Sequence, residues 1–205
     1  MNGTTQTPLV LKRGVTLYMI RHGETEWNRA QRYQGQRDIP LNDTGRAQAR
    51  RNGSVLRGFL PAIARAEFVS SPLSRAIETM ELLRRQMGLD QHDYRRDPQL
   101  LELHYGHWEG HLASALPDID PGGAAAKSLD PFSWRPTGGE SYADLMDRIK
   151  MWLVTVEHDT VAVTHGGVSR VTRGAVLGLD TGDVPTLEVP QDRILVLRDG
   201  AMSWI

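Results

Sequence analysis

Short runs of β-branched and apolar residues alternate along this chain with longer segments of helical periodicity, and this alternation constrains the fold most strongly. The predicted strands are residues 15–20, 67–71, 160–165, 193–198 and 201–205. The last two flank Asp199-Gly200, a dipeptide typical of a tight hairpin. Strands separated by helices of this length predict a mostly parallel sheet with helices on both faces, to which the closing hairpin adds an antiparallel element.

Four segments carry helical patterns. They are residues 44–59, 72–87 and 141–156, and a stretch from just after Gly167 to about Gly178. For the second, Ser71 is the predicted N-cap, Pro72 the first helical residue and Gly88 the stop. The third has the clearest pattern, because its apolar residues share one stripe and Ser141 with Asp144 makes a start like a capping box.

The length of 205 residues suits one α/β domain, and we expect a single domain over residues 1–205. Residues 112–137 are rich in Pro, Gly and Ala and have weak periodicity. Segments of this kind, inserted between regular elements, often cover a binding site. We therefore expect a lid-like excursion there.

The formal net charge is −1, so no overall field attracts nucleic acid or an anionic membrane, and neither is an expected partner. The chain has no cysteine, which excludes disulfides, thiolate nucleophiles and Cys-ligated zinc and is compatible with a reducing compartment. No segment approaches the ~20 apolar residues of a membrane span, and the first residues lack a signal-peptide pattern. A soluble, cytoplasmic protein is expected.

Two clusters permit other interpretations. His104, His107 and His111 have helix-compatible spacing for zinc, but Gly106 and Gly110 interrupt such a helix, so no metal site is expected. A second cluster is basic and lies along an ordinary amphipathic helix without interleaved aromatic residues; we interpret it as a solvated face rather than a nucleic-acid surface. Its members are Arg46, Arg50, Arg51 and Arg57.

Three predicted strands end in polar residues. The sequences there are Arg21-His22-Gly23, Ser70-Ser71-Pro72 with Arg75 one turn later, and Thr164-His165-Gly166-Gly167. In sheets of this type the carboxyl ends of the strands form the ligand crevice, so the three ends can share one site. Two imidazoles, two guanidiniums and the free N–H groups of helix N-termini fit a tetrahedral dianion such as phosphate.

Six ordered blocks carry a resemblance to a known family. They are RHGETEWN at 21–28, the following RYQGQRDIPLNDTGRAQA, SSPLSRAIET at 70–79, LLELHYGHWEG at 100–110, PTGGESYADLMDR at 136–148 and VTHGGVSR at 163–170. In order and spacing the chain resembles the histidine phosphatase superfamily, also called phosphoglycerate mutase-like, from about residue 16 to 178. The resemblance implies a three-layer α/β/α fold with a mostly parallel central sheet and a C-terminal antiparallel hairpin.

The resemblance also implies roles for individual residues. His22 is the implied nucleophile, which becomes phosphohistidine, while Arg21, Arg75 and His165 hold the transferring group. Glu102 is the implied proton donor to the leaving oxygen and the later base for water. Glu109 is the rival carboxylate, disfavoured because the family's acid precedes the Gly-x-Trp-Glu-Gly group, and Glu24 and Glu26 are expected to be structural. Further phosphate or substrate contacts are implied at Asn28, Gln34, Gly35 and Gly166; no cofactor is implied.

Within this family a phosphatase is favoured over a mutase. Cofactor-dependent mutases carry a longer insertion and a Leu-Gln-Gly group where this chain has His107-Trp108-Glu109-Gly110. The alternatives are mutase-type phosphoryl transfer and a non-catalytic phosphate-binding regulatory protein. The expected partner is a small phosphorylated metabolite, such as a sugar phosphate or α-ribazole phosphate. Lys127, Trp134 and Arg135 of the lid are candidates for contacts with this substrate. Monomer and homodimer are both compatible with the sequence.

Overall fold

The computed structural model describes residues 4–59, 63 and 65–205. The strands are β1 (Thr16–Arg21), β2 (Glu67–Ser70), β3 (Arg95–Arg96), β4 (Thr160–Thr164), β5 (Ile194–Arg198) and β6 (Ala201–Trp204). The α-helices are α1 (Glu26–Arg29), α2 (Asp43–Arg57), α3 (Ser74–Met87), α4 (Leu116–Ile119), α5 (Pro121–Leu129), α6 (Tyr142–Leu153) and α7 (Gly166–Leu177). Every helix in this part of the chain is too short or too polar to cross a bilayer.

The strands form one sheet in the order β3-β2-β4-β1-β5-β6. β1, β2, β3 and β4 pair in parallel, whereas β5 runs antiparallel to β1, and β6 antiparallel to β5. The predicted fold class, a mostly parallel sheet with a C-terminal antiparallel hairpin, is confirmed. The sequence prediction missed β3, because its two exposed arginines carry no strand pattern.

Alternate residues of the inner strands β1 and β4 pack into two separate cores. On one face, Leu17 and Met19 of β1 meet the apolar stripes of α6 and α7. On the other face, Ile20 of β1 and Val161 and Val163 of β4 meet α2 and α3. This alternation follows from the two-residue period of a strand. Helix layers therefore cover both faces and hold the sheet rigid beneath the ends of its strands.

The predicted start of α3 is wrong by two residues. The helix begins at Ser74, and Leu73, with φ −73° and ψ 141°, is its extended N-cap residue. Ser71, the predicted cap, instead places its hydroxyl oxygen 2.7 Å from Nε2 of His165. Asp38 accepts the N–H of Ser74 at 2.8 Å and satisfies one free donor of the helix start. By contrast, the capping box of Ser141 and Asp144 at the start of α6 is present as predicted.

The excursion over residues 112–137 is partly helical, since it contains α4 and α5. Asp120 caps α5 by accepting the N–H of Gly123 at 2.9 Å. The same carboxylate accepts the indole N–H of Trp108 at 2.9 Å and lies 3.0 Å from Nε2 of His107. One carboxylate thus ties the excursion to the segment that contains Glu109.

Candidate active site

Adjacent parallel strands deliver the predicted site residues to one edge of the sheet. Arg21, the last residue of β1, stands in register with Thr164, the last residue of β4, and Ser70 of β2 with Val163. His22 and His165 follow these strand ends directly. Since parallel strands share their carboxyl edge, both imidazoles lie together, with ring centroids 5.1 Å apart.

A cavity of about 130 Å³ opens at this edge. Every predicted site residue except His165 lines it, and His165 lies fully buried behind His22. The lining residues are Arg21, His22, Asn28, Arg32, Tyr33, Gln34, Gly35, Arg75, Glu102, Tyr105, Gly166 and Arg170. A larger cavity of about 600 Å³ near Phe68 and Arg84 holds none of the predicted residues. The residues that line a cavity, rather than its volume, therefore identify the candidate site.

The hydrogen bonds of His22 define one tautomer of its ring. Nδ1 lies 2.7 Å from the carbonyl oxygen of Gly23, which can only accept, so Nδ1 carries the hydrogen. Nε2 accepts the Nε–H of Arg75 at 3.2 Å. Burial, followed by the charges of Arg75 and Arg21, holds the pKa of His22 well below its ordinary value of 6.5. The imidazole is therefore neutral, with the lone pair of Nε2 free to act as a nucleophile once Arg75 turns to a ligand.

Stability should depend on pH in a direction set by His22 and His165, because burial lowers the pKa of both. Below about pH 6.5 the two histidines bind protons in the unfolded chain but not in the folded chain. The free energy of unfolding is therefore constant above that pH. As the pH decreases further, it falls by up to roughly 1.4 kcal/mol per pH unit for each histidine. Thermal unfolding between pH 5 and 8 measures this slope. A variant with asparagine at both positions should have a flatter profile, and an unchanged slope would contradict the assignment.

Arg75 is held rigidly by backbone carbonyls. Its Nη1 donates to the oxygen of Arg37 and its Nη2 to that of Gly35, both at 2.7 Å. Gly35 has φ +51°, a left-handed conformation that suits glycine, and an added Cβ would clash with Glu109. Burial lowers the pKa of Arg75 to about 10, so the guanidinium remains charged near neutral pH.

Glu109 holds the backbone next to Gly35. Its carboxylate accepts the N–H of Gln36 at 2.9 Å and that of Tyr105 at 3.2 Å, and its side chain is 5% exposed. It does not line the cavity. Glu109 therefore positions backbone, whereas the rival carboxylate, Glu102, lines the cavity together with His22.

Arg21 and His165 each retain a buried nitrogen without a partner among the described residues. Arg21 donates from Nη1 to the oxygen of Val189 at 2.8 Å, but its Nε has no acceptor. His165 contacts Ser71 through Nε2, and its Nδ1 is unpaired. Burial lowers the pKa of both groups. Unpaired buried polar nitrogens are costly. A bound anion can accept the Nε–H of Arg21, and that of Nδ1 in the His165 tautomer whose Nε2 accepts the hydroxyl of Ser71.

Glu102 is anchored at the start of α7. Its carboxylate oxygens each lie 3.1 Å from the backbone N of Gly167, and Oε1 also accepts the N–H of Leu103 at 2.8 Å. A Cβ on Gly167 would stand 2.5 Å from Oε1, so only glycine leaves room for the carboxylate. These contacts fix one carboxylate in the wall that also contains His22.

The comparisons with known proteins agree with this geometry. Residues 17–204 match the model of the histidine phosphatase superfamily, branch 1. This chain belongs to that superfamily. The family expected from the sequence is thus confirmed.

Several named members of the superfamily are similar along most of their length. A glucosyl-3-phosphoglycerate phosphatase of Mycolicibacterium vanbaalenii is 36% identical over 183 residues, which cover 83% of this chain and 78% of the relative. A probable phosphoglycerate mutase of Salmonella paratyphi C is 30% identical, over 92% and 83% respectively. The solved structure of mycobacterial glucosyl-3-phosphoglycerate phosphatase with VO₃ superimposes with a TM-score of 0.76 at 32% identity, covering 94% of this chain and 96% of that one.

Two further predicted contacts of this histidine phosphatase chain lie in the same wall. Asn28 Oδ1 accepts the N–H of Thr25 and an Nε2–H of Gln191, each at 3.2 Å. Gln34 Oε1 accepts the hydroxyl of Thr25 at 2.9 Å. Because both oxygens are occupied, each amide can present its NH₂ group to an anion in the cavity.

The sequence prediction missed four cavity residues, namely Arg32, Tyr33, Tyr105 and Arg170. Arg170 was detectable, since it lies four residues after Gly166 on the same helix face. Among the lid candidates, Lys127 reaches the wall, with Nζ 2.6 Å from the hydroxyl of Tyr33. Trp134 stacks on Trp108, and Arg135 pairs with Asp144 away from the cavity.

Two of the three histidines considered for zinc have other side-chain contacts. His104 Nδ1 accepts the N–H of Gly106 at 3.0 Å, and His107 lies against Asp120. Over residues 4–59, 63 and 65–205, no three or more potential ligand side chains come together around one point.

Proposed function

We propose that this chain hydrolyses phosphate monoesters without a metal, by transferring the phosphoryl group first to His22 and then to water. The observation that carries the proposal is the state of His22, a buried neutral imidazole in the cavity wall whose Nε2 lies beside the guanidinium of Arg75. The relatives named as phosphatases confirm the broader prediction of a phosphoric monoester hydrolase.

In the first step, Nε2 of His22 attacks phosphorus and the bond from phosphorus to the ester oxygen breaks. The Nε–H of Arg75, which now bonds to Nε2, turns to a phosphoryl oxygen as the lone pair is used. Arg21 and His165 supply their unpaired nitrogens to the other oxygens. Charged donors aimed at the transferring group stabilise the transition state more than the ground state.

In the same step, Glu102 passes a proton to the departing oxygen. Near neutral pH the phosphate group of the substrate itself carries a proton part of the time, since its second pKa is about 6, and this proton can reach Glu102. In the second step, Glu102 takes a proton from water as the water oxygen attacks phosphorus. Inorganic phosphate leaves and takes this proton from Glu102, so that His22 and Glu102 return to their starting states.

The proposed substrate is a small phosphorylated sugar or sugar acid. Relatives named glucosyl-3-phosphoglycerate phosphatases support this class. Mutase activity is the second candidate, favoured by the Salmonella relatives named as probable phosphoglycerate mutases. A screen of phosphorylated metabolites that measures phosphate release and isomer formation side by side separates the two. Isomer formation in excess of phosphate release would favour the mutase.

Activity is expected to survive exhaustive chelation, because each proposed step uses protein side chains and water alone. Orthovanadate, which mimics a five-coordinate phosphorus, should inhibit competitively, as the VO₃ complex of a relative also suggests. Initial rates before and after treatment with EDTA, with and without added divalent ions, measure whether activity survives chelation. Complete loss on chelation with recovery on adding a metal would contradict the mechanism.

We further propose that residues 1–205 act as one domain in the cytoplasm. Alternating elements around a single sheet support the first statement, and a cysteine-free composition is compatible with the second.

A further inference from the structure

Glu102 lies in a segment without regular secondary structure. Residues 101–105 connect two short 3-10 helices, Pro98–Leu100 and Gly106–Trp108, and belong to neither a helix nor a strand. The backbone N–H and C=O groups of such a segment are not paired by a helix or a sheet, so side chains or water must hold them. The position of the Glu102 carboxylate therefore depends on the groups that hold this segment.

One arginine of α6 holds the backbone just before Glu102. Nη1 of Arg148 donates to the carbonyl oxygen of Gln99 at 2.6 Å and to that of Leu101 at 2.8 Å. Its Nε and Nη2 donate to the two carboxylate oxygens of Glu140 at 3.2 and 2.9 Å. A planar guanidinium suits such a bidentate pair, whereas a lysine ammonium has no comparable fork. Arg148 thus links two backbone carbonyls to one carboxylate.

Glu140 holds the backbone on the other side of Glu102. Its Oε2 accepts the N–H of His104 at 3.0 Å, and its own backbone N–H donates to the oxygen of His104 at 2.8 Å. Gln36 adds a third contact, since its Nε2 donates to the carbonyl oxygen of Glu102 itself at 3.0 Å. The side chains of Arg148 and Glu140 are only 21% and 26% exposed, so solvent screens their attraction less than that of a surface pair.

The Arg148–Glu140 pair stands outside the cavity wall. Neither residue lines the cavity, whereas Glu102 does. The pair can therefore act on the reaction through the backbone on both sides of Glu102. A displacement of about 1 Å in a reacting group can lower a rate by about 10²-fold, so the hold on this backbone matters for proton transfer.

We propose that the Arg148–Glu140 pair positions Glu102 to donate a proton to the leaving group. This inference rests on the proposed function, because it takes Glu102 as the acid. Arg148 and Glu140 are positioning residues rather than catalytic ones. The proposal also gives a role to the sequence block at 136–148, which contributes no residue to the cavity wall.

A double-mutant cycle with Glu102 tests the proposal. The quantity is kcat/KM, measured with para-nitrophenyl phosphate and with the sugar phosphate that the wild-type enzyme hydrolyses fastest. Arg148→Met should lower it about 10- to 100-fold for the sugar phosphate and less than about threefold for the aryl ester, because a stable phenolate leaves without a proton. In the Glu102→Gln background, Arg148→Met should cost less than about threefold on either ester, since the acid through which Arg148 acts is already absent.

Conservative variants and a matched control separate positioning from damage to the fold. Arg148→Lys should recover part of the rate on the sugar phosphate, because an ammonium can still donate to one carbonyl. Glu140→Gln should show the same leaving-group pattern with a smaller loss, and it replaces Arg148→Met if that variant does not fold. Arg46→Met removes an arginine–glutamate pair with Glu78, between α2 and α3, and should keep both rates within about twofold.

The outcomes for the pair and for the acid are distinguishable. Equal losses on the two esters in Arg148→Met and Glu140→Gln, no loss in either variant, or an undiminished further loss in the Glu102→Gln background would overturn the proposal and leave the proposed function intact. If Glu102→Gln itself lost the same factor on both esters, Glu102 would not be the acid, and the proposal would fail together with that part of the mechanism.

Discussion

Replacement of His22 by alanine is expected to lower kcat on the order of 10⁴- to 10⁶-fold, because the variant lacks the group that forms the covalent intermediate. The guanidiniums of Arg21 and Arg75 remain in the wall, so orthovanadate should still bind. Steady-state phosphate release and vanadate titration of the same preparation measure the two effects. Together they distinguish loss of the nucleophile from loss of the binding site.

The matched control is His158→Ala, which removes an exposed histidine after α6. It should retain full activity. If His22→Ala kept more than about one hundredth of the wild-type rate, a loss too small for a nucleophile, another group would be the acceptor of phosphate.

Glu102→Gln is expected to have the second largest effect, and its size should depend on the leaving group. General acid catalysis is typically worth about 10²- to 10⁴-fold, so a sugar phosphate with a poor leaving oxygen should lose that factor. An aryl phosphate with a stable phenolate should lose clearly less. If Glu102 also activates water, the variant should release the phenol in a burst and then turn over slowly. Parallel kinetics on the two ester types provide the measurement.

Glutamine preserves the shape of this side chain, and its oxygen can still accept the N–H of Gly167. Glu157→Gln, on an exposed residue, is the suitable control. Glu109→Gln is not neutral, because Glu109 holds the backbone N–H groups of Gln36 and Tyr105. Equal losses on both ester types without a burst would remove Glu102 from the role of acid.

The sheet and the ends of its strands were predictable because both depend on local patterns. Short apolar, β-branched runs identified β1 and β4, and parallel pairing then brings Arg21, His22 and His165 to one edge. The helix N-termini were less predictable, since tertiary contacts decide them. Ser71 resembles a helix cap in sequence, yet its hydroxyl bonds to His165, the N-cap residue of α7.

Residues that act across the cavity were harder to predict. The position of Arg170 in the cavity wall depends on how α7 packs, and a single block of sequence does not contain that information. The helical part of residues 112–137 was missed for a similar reason. Its Ala- and Gly-rich composition has weak periodicity, and α5 is fixed by the carboxylate of Asp120, which Trp108 holds from outside the helix.

Identification of the phosphorylated residue tests the central claim most directly. The measurement is rapid quenching during turnover of a labelled substrate, followed by peptide mapping. A phosphoramidate is expected on His22, labile in acid and stable in base, and it should be absent from His22→Ala and accumulate in Glu102→Gln with an aryl ester. A label on a carboxylate or hydroxyl, or on His165 in place of His22, would contradict the mechanism.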